Sequence, residues 1–149
     1  MSADALVDSN VLIAALAPAH QHHAPSLALL EEPEPLAFAV AAHSYAEAYS
    51  TLTRGGQRGP FGFSPLEAMA ALDSVRAASV LVGLTAAQAF DAMRDFARTG
   101  GIGARLYDRL IGEVAVMHGI GVIVTWNVRH MRGLFPNLKV VTPEGYAAL

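Results

Sequence analysis

The chain is predicted to fold as a three-layer α/β/α domain around a central, mainly parallel five-stranded sheet. Three observations predict it. Short apolar runs rich in β-branched residues recur at 5–7, 36–40, 79–82, 122–124 and 138–141. Stretches of helical periodicity lie between them, and strands alternating with helices mark parallel βαβ units. The composition, 53% hydrophobic against 15% charged over 149 residues, suits one domain, 1–149, with one sizeable core.

Taken in order, Ala5-Leu6-Val7 reads as a buried strand that stops at Asp8, and a helix begins near Val11 and reaches Leu16. Ala19-His20-Gln21-His22-His23 introduces a second helical stretch to about Glu31. Its three histidines invite a metal reading, but their i, i+2, i+3 spacing does not converge as an i, i+4 pair would, so helix-entry polarity is the simpler account. Glu32-Pro33-Glu34-Pro35 is a turn before the second strand. Residues 42–54 read as a helix with Tyr45, Tyr49 and Leu52 as its buried stripe and Glu47, Thr51 and Arg54 on the polar side. Gly55 to Pro60 forms an exposed loop. Ser64-Pro65 followed by Glu67 opens a helix to about Ala77, with proline at its first position. After the third strand, Thr85 opens a helix to about Arg98, the Gly100–Ile102–Gly103 run breaks the chain, and the longest helix covers 104–118. The fourth strand ends in Thr125-Trp126-Asn127, and a short helix follows Pro143.

No apolar run is long enough to span a bilayer, and the N-terminus lacks the basic region of a signal peptide. The absence of cysteine removes thiolate metal sites and disulfides and agrees with a cytoplasmic setting. A net charge of −3 argues against a generic basic nucleic-acid binder, though not against an enzyme that holds phosphates through metal ions. So low a charge content leaves apolar surface for a partner, hence an oligomer or a complex is expected.

Four positions are polar where the pattern predicts burial or a strand end: Asp8, Glu47, Asp108 and the cluster Thr125-Trp126-Asn127. Each has an ordinary explanation. Asp8 can cap the following helix. Glu47 can close a capping box with Ser44. Asp108 can pair with Arg105, and Asn127 can stabilise a turn. Together they fit one arrangement. Asp8 and Asn127 follow two parallel strands, whose carboxyl ends share one sheet edge where ligands gather, and Glu47 and Asp108 project from flanking helices. Clustered carboxylates repel unless a cation intervenes, and oxygen-only ligands suit Mg²⁺ or Mn²⁺ better than zinc. The matching chemistry is phosphodiester hydrolysis. Arg54, Arg129 and Arg132 are candidate phosphate contacts, with surface solubility as the equal alternative. Trp126 can stack on a base or pack internally. The glycine run near residue 101 lacks the Lys-Ser/Thr of a P-loop and reads as a loop.

With Asp8-Ser9-Asn10 near the N-terminus, a helical glutamate at Glu47, then Tyr107-Asp108-Arg109-Leu110-Ile111 and Thr125-Trp126-Asn127-Val128-Arg129-His130-Met131, the chain resembles the PIN-domain family over nearly its whole length. More narrowly it is similar to the VapC-type toxin ribonucleases of bacterial toxin–antitoxin pairs. The resemblance implies that Asp8 and Asp108 ligate Mg²⁺ or Mn²⁺ and that Glu47 completes the acidic pocket. It further implies that Ser9 or Asn10 hydrogen-bonds the carboxylates or substrate, and that Asn127 fills the family's Asp/Asn position after the fourth strand. RNA as substrate, a small inhibitory antitoxin and a homodimer are likewise implications of the resemblance. One position departs: where many relatives carry a further acid, this chain has His130, which can weaken a second metal site, ligate the metal or contact phosphate.

A different class remains open, a PIN-like binding module with impaired catalysis, which the His130 departure supports and retention of Asp8, Glu47 and Asp108 opposes. A phosphoacceptor receiver domain is discarded. It would need an aspartate ending the third strand, which here ends Leu81-Val82-Gly83, and a lysine near the later strands, where the lone Lys139 does not serve.

Overall fold

The computed structural model describes residues 3–31 and 37–149. The strands are β1 (Ala5–Val7), β2 (Phe38–Ala41), β3 (Val80–Val82), β4 (Val122–Val124) and β5 (Lys139–Val141). The helices are α1 (Ser9–Leu16), α2 (His23–Leu30), α3 (Ala42–Thr53), α4 (Pro65–Ala77), α5 (Ala86–Arg98), α6 (Arg105–Met117), α7 (Val128–Leu134) and α8 (Pro143–Ala147). The expected turn at Glu32-Pro33-Glu34-Pro35 and the expected start of the second strand at Leu36 lie outside the described residues.

All four strand pairings are parallel and the order is β3-β2-β1-β4-β5. The chain moves outward from β1 through β2 to β3, then crosses back to place β4 on the other side of β1. That reversal puts a topological switch point between the carboxyl ends of β1 and β4, where side connections diverge and leave a crevice. Val7 is paired with Val124, so Asp8 and Thr125 are the next residues on either side of the crevice.

Strand alternation divides the core into two layers. Ala5, Val7, Phe38, Val40, Val124 and Val141 face one cluster, which takes Val11 and Leu12 of α1, Leu29 of α2 and Ala48 of α3. Leu6, Ala39, Ala41, Ile123 and Val140 face the other, built from Ile111, Val114 and Ala115 of α6 with Met131 and Phe135 at α7. The three-layer architecture therefore follows from period-two strands between amphipathic helices. Among the described residues no helix is long and apolar enough to cross a membrane.

Local chemistry sets the helix ends. Ser64 and Glu67, read from the sequence as a helix start, form a reciprocal capping box at α4 (3.2 and 3.0 Å). α6 ends where Gly119 takes φ +66°, its N–H reaching the Val116 carbonyl (3.2 Å) while the Ile120 N–H reaches Ala115 (2.9 Å). This is a Schellman stop, and it buries Ile120.

Two elements depart from expectation. α3 begins at Ala42 directly after β2, so Ser44 lies inside its first turn, buried with its hydroxyl unpartnered among the described residues, and the expected Ser44–Glu47 capping box does not form. The fully buried stripe of α3 is Ser44, Ala48 and Leu52, with Tyr45 and Tyr49 flanking it half-buried. Residues 128–134 form a helix that the sequence reading leaves unassigned, although Val128, Met131 and Phe135 recur at helical spacing. α7 packs against α6 through a close approach: a Cβ on Gly112 would meet the Phe135 ring at 1.9 Å. Gly112→Ala should thus destabilise by about 1–3 kcal/mol through overpacking, despite alanine's advantage of roughly 1 kcal/mol as a helix former. Urea unfolding checks this, and a Gly112→Ala protein more stable than its parent would refute the tight packing.

Candidate active site at the switch point

Asp8 is placed by β1 and α1 together. Its N–H continues the ladder to the Val124 carbonyl (3.0 Å), and its extended backbone (φ −77°, ψ 158°) makes it the N-cap of α1. Oδ1 accepts from the Ser9 N–H at 2.7 Å, so the capping role is real. It does not exhaust the side chain, because Oδ2 accepts from the Thr125 hydroxyl at 2.9 Å across the crevice.

Thr125, fully buried, is the hub. Its Oγ1 accepts from Asn10 Nδ2 and from the Asn127 backbone N–H, both at 3.0 Å. Asn10 also accepts the Trp126 N–H on its Oδ1 (3.0 Å). The Asp8-Ser9-Asn10 and Thr125-Trp126-Asn127 segments are thus laced into one unit. Asn127 then extends Nδ2 to Asp108 Oδ2 (3.3 Å), and His130 on α7 donates Nδ1–H to that same oxygen at 2.5 Å. His130 Nε2 is buried and finds no partner among the described residues. Asp108 makes these contacts rather than the expected pair with Arg105.

Glu47, on the second turn of α3, completes the acidic edge and lies 3.6 Å from His43 Nε2. The carboxylates sense one another. Asp8, only 3% exposed, has its pKa raised from 3.8 to about 6, chiefly by burial and further by the charges of Asp108 and Glu47, against the lowering bonds from Thr125 and Ser9. Glu47 is also raised, by burial first and by Asp108, with His43 pulling it back. The Asp108 charge adds to the effect of burial at both Asp8 and Glu47, a repulsion that a cation would relieve, and hard oxygen donors suit Mg²⁺ or Mn²⁺. As they stand, no three His, Asp or Glu side chains among the described residues close into a cage, and Asp8 and Asp108 are linked through Thr125 and Asn127 rather than joined in a chelate.

The remaining predicted residues separate. Arg129 and His130 line a groove of about 990 Å³ beside the crevice, together with Asn127, Arg105 and the Gly100–Ile102 loop. Arg54 is exposed at the far end of α3, about 10 Å along the axis from Glu47, and is not brought to the site. Arg132 is committed elsewhere: its Nε and Nη2 donate to the Val140 carbonyl (3.2 and 3.0 Å), tying α7 to β5. Trp126 is packed, its Nε1 donating to buried Ser26 (2.9 Å) and its face covered by His22 at 3.8 Å. His23 donates to the Ala14 carbonyl (2.9 Å), so these histidines shape the entry to α2. Sequence reading missed His43 and Tyr107, whose rings stack 5.4 Å apart beside the acids. The i, i+4 spacing of His43 and Glu47 was the available signal for the first.

The family model described as PIN domain matches residues 5–132, most of the chain and every residue of the site. Among curated proteins none matches. Among solved structures, VapC20 of Mycobacterium tuberculosis, a sarcin-ricin loop cleaving toxin, aligns with TM-score 0.64 at 19% identity over 80% of this chain and 86% of its own. DNA-bound VapBC from Salmonella typhimurium aligns with TM-score 0.64 at 19% identity over 96% of this chain and 99% of that one. VapBC2 from Rickettsia felis, bound to a DNA fragment from its promoter, gives 0.59 at 18% identity over 91% and 96%. At these identities the likeness is one of fold, and the family match carries the assignment: this chain belongs to the PIN-domain family.

Proposed function

We propose that the protein is a Mg²⁺- or Mn²⁺-dependent endoribonuclease, the toxin of a toxin–antitoxin pair, acting in the cytoplasm. The observation that carries this reading is the Asp8–Thr125–Asn127–Asp108 chain of hydrogen bonds. It fixes two carboxylates from different elements on the switch-point crevice with Glu47 beside them. Asp8 and Asp108 would hold the cation. When bound, it supplies an activated water and charge stabilisation at phosphorus. The chain's own part is to keep Asp8 ionised and aimed, through Ser9 and Thr125, and to orient Asp108 through Asn127 and His130. Arg129 and Arg105 sit where flanking phosphates would pass. Two of the structural neighbours are VapBC complexes, which supports a small antitoxin as partner. Half-exposed Phe90 and Met93 on α5 with Val116 and Met117 on α6 supply an apolar face for a homodimer.

Purified protein freed of any partner should cleave a structured RNA with Mg²⁺ or Mn²⁺ and stop with EDTA, and Asp108→Asn should lose at least about 100-fold in rate, roughly 3 kcal/mol of barrier. Cleavage that survives EDTA or this substitution refutes the carboxylate mechanism. A second reading, a PIN-like binding module, draws on one observation: Asp108 Oδ2 is already engaged by His130 where a cage would need it free. It predicts RNA binding without cleavage in any metal.

A further inference from the structure

We propose that Tyr107 and His43 form a base-stacking platform that holds the nucleobase next to the scissile phosphate; this rests on the nuclease reading above and adds a specificity element to it. The two rings come from different elements, α6 and α3, and lie 5.4 Å apart with an interplanar angle of 16°. Neither serves the interior. Tyr107 is 47% exposed, the His43 side chain likewise 47%, and neither ring belongs to a buried cluster of the described residues. A stacked aromatic pair half-open at the surface offers its outer ring face to another π-system.

Its position gives the ligand's class. His43 Nε2 is 3.6 Å from Glu47, and Tyr107 adjoins Asp108, so the platform borders the acidic crevice. Arg105 lies two residues before Tyr107, about 200° around the helix, and faces the groove shared with Arg129 and His130. Along one path, then, come a flat aromatic pair, a carboxylate centre suited to a divalent cation, and a groove with two guanidinium groups. A polyanion carrying planar groups meets all three: a base on the platform, a phosphate at the cation, the next phosphates along the arginines. A basic peptide would be repelled by the arginines, and an acidic one would leave the carboxylates uncompensated. The base must be unstacked from its neighbours to lie there, which selects single-stranded or looped segments.

The test is equilibrium binding with Ca²⁺ in place of Mg²⁺ and Mn²⁺, a larger ion of looser coordination that compensates the carboxylates while slowing cleavage, using fluorescein-labelled oligouridylate and oligoadenylate about twelve nucleotides long, within the site size of such grooves. Tyr107→Leu should weaken binding about ten-fold, the usual worth of one base–aromatic stack, while Tyr107→Phe keeps it. A single abasic position should cost the unsubstituted protein a similar factor and the Tyr107→Leu protein almost nothing further. If Tyr107→Leu loses its cooperative thermal transition, His43→Leu takes its place. Ordinary binding by the parent with unchanged affinity in Tyr107→Leu overturns the platform alone, leaves the nuclease reading intact and hands the rings to a protein partner. Absence of oligonucleotide binding by the parent overturns the nuclease reading and the platform with it. Equal losses in Tyr107→Phe and Tyr107→Leu also overturn stacking, since they assign the effect to the hydroxyl.

Discussion

Replacing Asp8 by asparagine is expected to abolish cleavage and yet make the metal-free protein more stable at neutral pH. Burial pushes the Asp8 carboxyl up to about 6 in the folded chain, from an ordinary value of 3.8. A carboxyl that binds its proton more tightly when folded favours the fold at low pH. That advantage is lost as pH rises from about 4 through about 6, because the folded protein must ionise the group in place. Above that window the ionised form costs about 3 kcal/mol relative to the unfolded chain. Asparagine carries no such term. Its amide N–H would instead point at Thr125 Oγ1, which already accepts from Asn10 and from the Asn127 N–H. One crowded donor returns about 1–3 kcal/mol of that gain. The net expectation is about 1 kcal/mol of added stability at neutral pH in EDTA, and a flattened stability profile between about pH 4 and pH 7. Mg²⁺ should raise the melting temperature of the parent and leave Asp8→Asn unmoved, because only the parent binds the ion when folded. Cleavage should fall at least about 1,000-fold, roughly 4 kcal/mol of barrier. Thermal melts across pH, with and without Mg²⁺, decide the matter. A variant whose stability still falls through that window, or which gains as much from Mg²⁺ as the parent, would place the titration or the ion elsewhere.

The divide between what was legible and what was not runs along locality. The strands and layers could be read because each strand is a short apolar run whose alternate residues find different partners, as Leu6 and Val7 do. Asp8 stood out because a carboxylate interrupting such a run has few ordinary uses. Glu47 was harder to read. The Ser44–Glu47 spacing is a good capping box only if the helix starts beyond Ser44, and β2 runs into α3 without a loop, which moves the start to Ala42. α7 escaped because a helix of two turns carries little periodicity, and Arg129, His130 and Arg132 obscure what Val128 and Met131 show. Asp108 and His130 each stand out in the sequence, but their 2.5 Å contact depends on how α6 and α7 pack through Gly112 and Phe135. The fate of a guanidinium is less local still. Arg132 and Arg129 look alike in sequence, and only the nearby Val140 carbonyl removes the first from the site.

Thr125→Val should cost about 3 kcal/mol of stability, although valine fills the same volume and leaves no cavity. The hydroxyl has one proton and two lone pairs, and each has a partner: Asp8 Oδ2 takes the proton, Asn10 Nδ2 and the Asn127 N–H take the lone pairs. Valine strands all of them, Asp8 Oδ2 in a buried setting and the other two half-buried, at about 1 kcal/mol apiece. Thr125→Ser keeps the hydroxyl and loses one methyl, about 1 kcal/mol, so the gap between the two variants isolates the polar term. Activity supplies a second readout. The Thr125 bond favours the ionised form of Asp8, so its removal raises the Asp8 pKa further. The acid limb of the cleavage profile should then move to higher pH in Thr125→Val and stay in place in Thr125→Ser. Coupling to the first prediction has a definite sign. In the Asp8→Asn background the new amide no longer competes for the hydroxyl's lone pairs, so Thr125→Val should cost less there than in the parent. Additive losses in the double variant, or a Thr125→Ser protein as damaged as Thr125→Val, would show that Thr125 acts through its shape and not through the hydrogen bonds that join the two halves of the crevice.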